Sequence, residues 1–304
     1  MPMKNIVSVL ILTYNEELHL NRCLASVKEL TDKIFIVDSY SDDNTLKIAA
    51  KHDAKIYQNP WPGNQAAQFN WALDNLPIKT GWILRLDADE YLLPALIEEI
   101  KSKLPGLSSD TAGVILKRRV YFMNKWIRYG GYYPTYLLRL WRSGTGRYEQ
   151  RWMDEHVKLE SGNTVTFDND FVDDNINNLA WWTNKHNDYS TREAIDLLNI
   201  KYRFSKSGGL KGDLTGTQDK KKRWVKENFY SKSPLFFRAF FYFIYRYFFG
   251  LGFLDGRSGL VWHFLQGFWY RFLVDAKIYQ VKKLAKKQKK PIPQVIKEHY
   301  NIDL

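Results

Sequence analysis

Two carboxylates one residue apart, Asp87-Ala88-Asp89, with Glu90 beside them, are the sharpest chemical signal in the chain. They follow Trp82-Ile83-Leu84-Arg85-Leu86, a run apolar enough to be a central strand. A spacing of two at a strand end points both carboxylates the same way. One can then bind a metal directly, while the other binds through water or meets a ribose; oxygen ligands of this kind suit Mg²⁺ or Mn²⁺. Such turns also occur as plain loop solvation or as a cap for a helix opening at Pro94, so the neighbouring turns decide. Two of them repeat the pattern: Thr13-Tyr14-Asn15-Glu16 after the apolar run Ile6–Leu12, and Asp38-Ser39-Tyr40-Ser41-Asp42-Asp43-Asn44-Thr45 after Ile34–Val37. In parallel α/β sheets the ligand sits at the carboxyl ends of the strands, so three acid-bearing turns converge on one edge. That edge would repel a bare diphosphate. A divalent cation reconciles it with a phosphate-bearing ligand.

The elements that must position these turns read as βαβ units over the first 105 residues, where short apolar runs alternate with helix-period segments. Strands are expected at Ile6–Leu12, Ile34–Val37, Lys55–Tyr57 and Trp82–Leu86. The first helix aligns Leu20, Cys23, Leu24 and Val27, with Glu16 and Glu17 in its first turn. A second opens near Thr45, a third aligns Ala66, Phe69, Leu73 and Leu76, and a fourth runs from Pro94 to the Pro105-Gly106 stop. From Val114 to about Phe171 the pattern changes to strands and loops rich in Arg, Tyr and Trp. Helices return at Leu179, and Ser205–Arg223, polar and glycine-bearing, reads as a mobile linker.

The length of 304 residues and the 45% apolar composition accommodate one catalytic domain plus a C-terminal appendage and exclude large-scale disorder. Cys23 is the single cysteine, which rules out an intramolecular disulfide and fits a reducing compartment; its place on an apolar helix face makes it a core residue. The run after Lys4 is too short for a membrane span and lacks a cleavage site, so the catalytic part is expected to stay in the cytoplasm. A net charge of +12 calls for a polyanionic partner: nucleic acid, anionic lipid or a diphosphate. The basic excess is densest over Lys277–Lys290, directly after an aromatic stretch, and no nucleic-acid recognition motif is visible. That arrangement suits an anionic membrane surface. Pro234–Leu254 is nearly all Phe, Tyr and Leu and long enough to span, but Arg238 and Arg246 inside it argue against a simple span. It and Leu260–Val274 read as helices lying in the interface with snorkelling arginines; an aromatic-cored helical subdomain or an oligomer interface is the competing reading.

Three segments together, Val9-Leu10-Ile11-Leu12-Thr13-Tyr14-Asn15-Glu16-Glu17, Ile36-Val37-Asp38 through Thr45, and Leu86-Asp87-Ala88-Asp89-Glu90, resemble the family-2 glycosyltransferases. The likeness is to the bacterial branch that adds sugars to lipopolysaccharide core or exopolysaccharide intermediates, the β-1,4-glucosyltransferase-like group. It is strong over residues 5 to 100 and looser to about residue 200. The resemblance implies an α/β GT-A fold, Rossmann-like, with a mostly parallel sheet flanked by helices. It also implies a UDP-sugar donor (UDP-glucose favoured), Mg²⁺ or Mn²⁺, and inversion at the sugar. Carried over by position, Thr13, Tyr14 and Glu16 line the nucleotide pocket, Asp38 accepts from uracil or ribose, Asp87 meets ribose or metal-bound water, and Asp89 coordinates the metal. One departure is Phe69 before Asn70, where relatives often carry a basic residue; diphosphate neutralisation then falls to the metal, Arg118, Arg119 or Arg139.

Inverting transfer also needs a base on the acceptor hydroxyl. Met153-Asp154-Glu155-His156-Val157 is the best candidate, with Asp154 and Glu155 as near-equal choices and His156 as a metal ligand or orienting partner. An ordinary solvated turn is the plain alternative. A second constellation, Asp173-Asp174-Asn175 followed by Trp181, Trp182, Lys185, His186, Tyr189 and Arg192, either holds the acceptor or is an amphipathic helix packed on the catalytic domain with His186 half-buried. The expected domains are a GT-A catalytic domain over residues 1–204 (nucleotide-sugar half about 1–110, acceptor half about 111–204), a linker over 205–232 and a membrane-associating helical region over 233–304. The expected activity is transfer to a lipid-linked saccharide at the cytoplasmic face of a membrane, with no nucleic-acid partner. A catalytically silent nucleotide-sugar or lipid-binding protein on the same fold is the alternative.

Overall fold

The computed structural model describes residues 6–149, 156–204 and 218–302. They divide into two compact units. The first holds the described residues up to Arg128, Tyr132–Glu149, and His156 to Ile176; the second holds Tyr129–Gly131 and the described residues from Asn177 onward.

The first unit is built on a nine-stranded sheet. Strands β1 (Val7–Thr13), β2 (Ile34–Asp38), β3 (Lys55–Gln58) and β4 (Trp82–Asp87) alternate with helices α1 (Leu20–Val27), α2 (Thr45–Lys51) and α3 (Gln65–Asn75). They lie parallel in the order β3-β2-β1-β4, each ending one residue beyond the expected strand, and β1, β2 and β4 run into the three acid-bearing turns. After β5 (Glu90–Leu92) and α4 (Pro94–Lys103) come β6 (Thr111–Phe122), β7 (Lys125–Ile127), β8 (Thr135–Arg142), β9 (Gly146–Tyr148), β10 (Val157–Leu159) and β11 (Asn163–Asp174). This half is mixed. β8 runs antiparallel to β4 and β6, β11 runs parallel to β6, and β5 closes the edge antiparallel to β11.

Strict alternation buries the parallel half on both faces. Val9, Ile11, Ile34, Ile36, Leu84 and Leu86 face α1 and α4, packing on Leu20, Cys23, Leu24, Val27, Leu96, Ile97 and Ile100. Leu10, Phe35, Val37 and Ile83 face the other way onto Ala66, Phe69 and Ala72 of α3. Helix α1 begins only at Leu20, not at Glu16 as the pattern suggested. The amides of Glu16 and Glu17 are bound instead by Thr45 Oγ1 (2.8 Å) and Asp43 Oδ2 (3.1 Å), which tie that turn crosswise to the turn after β2.

In the second unit, α5 (Leu179–Tyr202) packs through Ala194, Ile195, Leu197 and Leu198 on Tyr270, Val274, Ile278 and Val281 of α9 (Tyr270–Gln288), with Val295 and Ile296 of α10 (Ile292–Tyr300) completing the core. Helix α5 is therefore grouped with the C-terminal helices, and part of the expected linker, Gln218–Asn228, forms α6. Helix α7 (Phe237–Ile244) continues into a π-helical turn, Tyr245–Phe249, and α8 covers Gly256–Trp262. Within the run Leu260–Val274, Trp262, His263, Tyr270 and Val274 are buried, while Leu260, Phe264 and Phe272 stay exposed. The charged groups inside the apolar stretch find partners, Arg238 with Asp275 and Arg271 with Glu193. Among the described residues no helix is long and apolar enough to cross a membrane.

Candidate active site

The three acid-bearing turns do converge on one edge of the sheet, and hydrogen bonds lock the first two to one another. Asn15 N donates to Ser41 Oγ (2.9 Å), Asp42 N to Asn15 Oδ1 (3.0 Å) and Asn44 Nδ2 to Glu17 Oε2 (2.8 Å). Asn15 and Tyr40 hold left-handed backbone at φ 54° and 62°, the sharp reversals that let short turns face each other. Asp38 ends β2 wholly buried. Its carboxylate accepts from Thr13 Oγ1 (2.9 Å), Ser41 N (2.8 Å), the Ser41 hydroxyl and, more loosely, Gln58 Nε2 (3.4 Å). About four bonds fill a carboxylate. Gln58 is the weakest of these contacts. Of the three residues expected to line the pocket, Thr13 is buried against Asp38 and Glu16 is bonded to His19 Nδ1 (2.7 Å), whereas the Tyr14 ring is 61% exposed at the edge.

Asp87, at the end of β4, stands among cations. Its oxygens accept from Arg85 Nη2 (3.0 Å) and Nε (3.2 Å), Gln65 Nε2 (3.3 Å) and Arg139 Nη2 (3.4 Å). Burial works to raise this carboxyl, but the two guanidinium groups outweigh it and hold the group well below the usual carboxylate range. Arg85 lies two residues before Asp87 on the same side of the strand. It reaches the Tyr148 hydroxyl and stacks over the rings of Tyr148 (4.9 Å) and Phe69 (5.8 Å). Tyr148 is fixed in turn by Asn70, whose amide exchanges two 2.9 Å bonds with its backbone. The cation missing before Asn70 is thus supplied beside Phe69 by Arg85, a residue the sequence reading left inside an apolar strand. A lone arginine two positions before the first aspartate was the available signal.

Glu90, noted in the sequence but given no role there, is 1% exposed and paired with Arg139, and it accepts from Asp87 N (2.9 Å). Burial raises its carboxyl to about 8, with Arg139 pulling down and Asp87 and Asp173 pushing up. Asp173 faces Glu90 across the β11–β5 pairing and meets Arg118 Nη1 at 3.1 Å. Burial and the Asp89 and Asp87 carboxylates lift it to about 6, against Arg118. Asp89 is half-buried; Asn175 Nδ2 donates to its Oδ2 (2.9 Å) and Asp174 N to its carbonyl (3.1 Å). Asp174 itself is gripped by Arg22 at 2.5 Å. The end of β11 therefore sets the orientation of the Asp87–Asp89 turn. Arg119, a candidate for the diphosphate, is spent elsewhere, on Asp170 (2.6 Å).

Asp154 and Glu155 lie outside the described residues. His156 begins the strand side of that segment, its carbonyl accepting from Glu149 N (3.1 Å). Among the described residues no three His, Cys, Asp or Glu side chains are gathered as a metal-ligand set, so His156 is not brought together with Asp87 and Asp89. Trp182, His186 and Tyr189 do share one face of α5, but as packing: His186 stacks on Trp182 at 3.5 Å and meets Tyr270 at 5.7 Å, and burial lowers its imidazole to about 4. Cys23 is wholly buried, its thiol toward the Asp87 carbonyl (3.7 Å), as a core residue should be.

The family model described as glycosyl transferase family 2 matches residues 8–174. The lipopolysaccharide core biosynthesis glycosyltransferase LpsC of Rhizobium meliloti (strain 1021) is 30% identical over 285 residues, covering 90% of this chain and 92% of the relative. An uncharacterized glycosyltransferase of Rickettsia conorii is 40% identical over 95 residues, which is 31% of this chain and 33% of that protein. The chain thus matches about a third of the length of this relative and of a second, from Rickettsia typhi. Among solved structures, S. aureus TarS 1–349 is similar with a TM-score of 0.43 and 14% identity, over 93% of this chain and 92% of TarS. Glucosyl-3-phosphoglycerate synthase from Mycobacterium tuberculosis, crystallised with Mn²⁺, UDP and glucosyl-3-phosphoglycerate, has a TM-score of 0.32 and 18% identity over 38% of this chain and 44% of its own.

Proposed function

Because this chain belongs to glycosyl transferase family 2, we propose that it is an inverting enzyme moving a sugar, glucose by preference, from a UDP-sugar to a lipid-linked saccharide in lipopolysaccharide core synthesis. One observation carries the reading: the turns after β1, β2 and β4 meet at one edge with Asp87 and Asp89 between Arg85, Arg139 and Asn175. The acceptor class follows from the name of the LpsC relative, which is similar along most of the chain.

A divalent cation fits the donor set. Asp89 offers a carboxylate steered by one amide, while Asp87, its oxygens taken by Arg85, Gln65 and Arg139, would meet the ion through water. Mg²⁺ characteristically takes one or two carboxylates and fills its shell with phosphate and water. When bound there, Mg²⁺ or Mn²⁺ would act as a Lewis acid for the departing diphosphate. The chain's own groups do the rest. Tyr14 offers a face to the uracil, Asp38 shapes the pocket floor, and Arg85 and Arg139 add fixed positive charge where the diphosphate leaves. Asp154 or Glu155 takes the acceptor proton.

The enzyme works at the cytoplasmic face of a membrane. In support, α7 and its continuation leave Phe237, Phe241, Phe248 and Phe249 between 51% and 77% exposed. Rings at such exposure suit headgroup depth, and the basic end of α9 suits anionic lipid. The testing experiment is UDP release from a panel of UDP-sugars with and without chelator, using membrane extracts as acceptor. Release from one donor, lost with chelator, is expected. Donor binding without release in any condition would instead indicate a silent binding protein.

A further inference from the structure

Helix α7 and its π-helical turn have two different faces. Arg238, Tyr242 and Arg246 recur every four residues along one side, which adjoins the side of the exposed Phe237 and Phe241, each one residue earlier. Arg271 of α9 and Tyr230 join that row. The Arg271 guanidinium lies 5.4 Å from the Tyr242 ring and 5.7 Å from the Tyr230 ring. Arg246 lies 5.2 Å from the Tyr242 ring, and Arg238 lies 4.4 Å from that of Tyr230. Three guanidinium groups therefore surround two phenols.

Their bonds account for only part of this charge. Arg238 is consumed by Asp275 and the Tyr230 carbonyl (2.8 Å). Arg246 donates to the Gly130 carbonyl and to the Tyr242 hydroxyl. Arg271 Nη1 meets Glu193 Oε1 at 2.7 Å, but Glu193 is shared with Tyr270 (2.6 Å) and with Lys226 (3.5 Å). Two donors remain. The Tyr230 hydroxyl and Arg271 Nε are buried with no hydrogen-bond partner among the described residues. Stranded buried donors are rare and costly, more so on a charged group. The surroundings are electropositive as well: burial pushes the Tyr242 phenol up, yet Arg246 and Arg271 bring it below its ordinary value. The residues are half-buried rather than sealed, with 23% of the Arg271 side chain exposed.

We propose that Tyr230, Tyr242, Arg246 and Arg271 form a binding site for the phosphate group of a membrane lipid, on the flank of the helix whose rings enter the monolayer. A phosphate offers several acceptor oxygens, enough to take the Tyr230 hydroxyl and the Arg271 Nε together, and a guanidinium is the side chain best matched to it. The site rests on the membrane placement proposed above, and it adds headgroup selectivity that rings and a diffuse basic surface cannot supply.

The full chain is tested on phosphatidylcholine vesicles doped with phosphatidic acid, or with oleate at matched surface charge. Wild type should bind the phosphatidic acid vesicles more tightly. Tyr230→Phe removes a hydroxyl that bonds nothing, so it should melt like wild type while losing about tenfold in affinity for phosphatidic acid vesicles alone. Arg271→Lys keeps a charge for Glu193, removes Nε, and should behave the same way. Equal binding to both vesicle types, or unchanged selectivity in both variants, overturns the site and leaves the membrane placement standing. If no vesicle binds, soluble short-chain phosphatidic acid decides. Thermal stabilisation that Tyr230→Phe abolishes supports the site and sinks only the membrane placement; no stabilisation overturns both. Equal stabilisation by inorganic phosphate refutes the lipid as its source.

Discussion

Replacing Asp38 by Asn separates a nucleotide ligand from a residue that builds the nucleotide pocket. One oxygen faces two hydroxyls, Thr13 and Ser41, which can rotate to accept; the other faces the Gln58 amide, which can turn over, and Ser41 N–H, which can only donate. An asparagine therefore fits in one orientation, with its oxygen toward Ser41 N and its nitrogen toward the hydroxyls. The four contacts survive, but bonds to an ionised group (about 1.5–3 kcal/mol each) become neutral ones (about 0.5–1.5). With the weak Gln58 contact contributing little, and the lower cost of burying a neutral amide than a carboxylate offsetting much of the rest, a loss of about 1–2 kcal/mol is expected. Asp38→Ala strands the buried Ser41 N–H and opens a void, for about 3–5 kcal/mol. At about 2–4 °C per kcal/mol for a domain of this size, the two variants should melt about 2–8 °C and about 6–20 °C below wild type. Thermal and urea melts of the full chain, with UDP titrated calorimetrically into each variant, read both effects. UDP affinity should fall in step with stability, and Gln58→Ala, which removes the weakest contact, should leave it nearly unchanged. If Asp38→Asn melts like wild type yet loses UDP binding, Asp38 is chiefly a direct acceptor for the nucleotide and the pocket-building argument fails.

Asp89→Ala should abolish turnover and metal-dependent UDP-sugar binding while the far-ultraviolet circular dichroism stays native; turnover in excess chelator would remove the metal assignment. Asp154→Asn or Glu155→Gln should cut kcat by about 10²-fold with donor binding intact, and near-normal kcat in both would move the base elsewhere, with Asp173 the next to test. Glu90 has a folded-state carboxyl raised to about 8 from 4.5. The folded protein thus binds more protons than the unfolded chain between those values, and this group's contribution is complete below pH 4.5 and is lost as pH rises through about 8. Urea melts across that window should show stability falling with pH, and Glu90→Gln should flatten the fall; an unchanged slope would count against it. In cell fractions, high salt should release only part of the protein and detergent nearly all, because salt screens the charges and not the buried rings. Full release by salt would place the rings in a protein interior or an oligomer.

The sequence by itself determined the parallel half of the sheet and the edge at which its acid-bearing turns gather. Runs such as Val9–Leu12 and Ile34–Val37 alternate into two separate cores, and that period-two burial is local enough to be read residue by residue. The turns that follow were legible for the same reason: a strand end fixes where its next residues point. Tertiary structure alone decided what those turns are made to do. Asp38 looked like a free acceptor until Thr13 and Ser41, from different segments, were found on its oxygens. Arg85 looked like a lapse in an apolar strand until Tyr148 and Phe69 gave it rings to lie against. Asp174 and Asn175 became the clamp on the Asp89 turn only because β11 returns beside β5 across more than 80 residues of chain. The C-terminal aromatics divided the same way. Composition marked them as amphipathic, but whether a ring faces out, like Phe249, or in, like Tyr270, depends on α5 packing onto α9. Charge pairing and burial are set by partners distant in sequence, and no local pattern encodes a partner's identity.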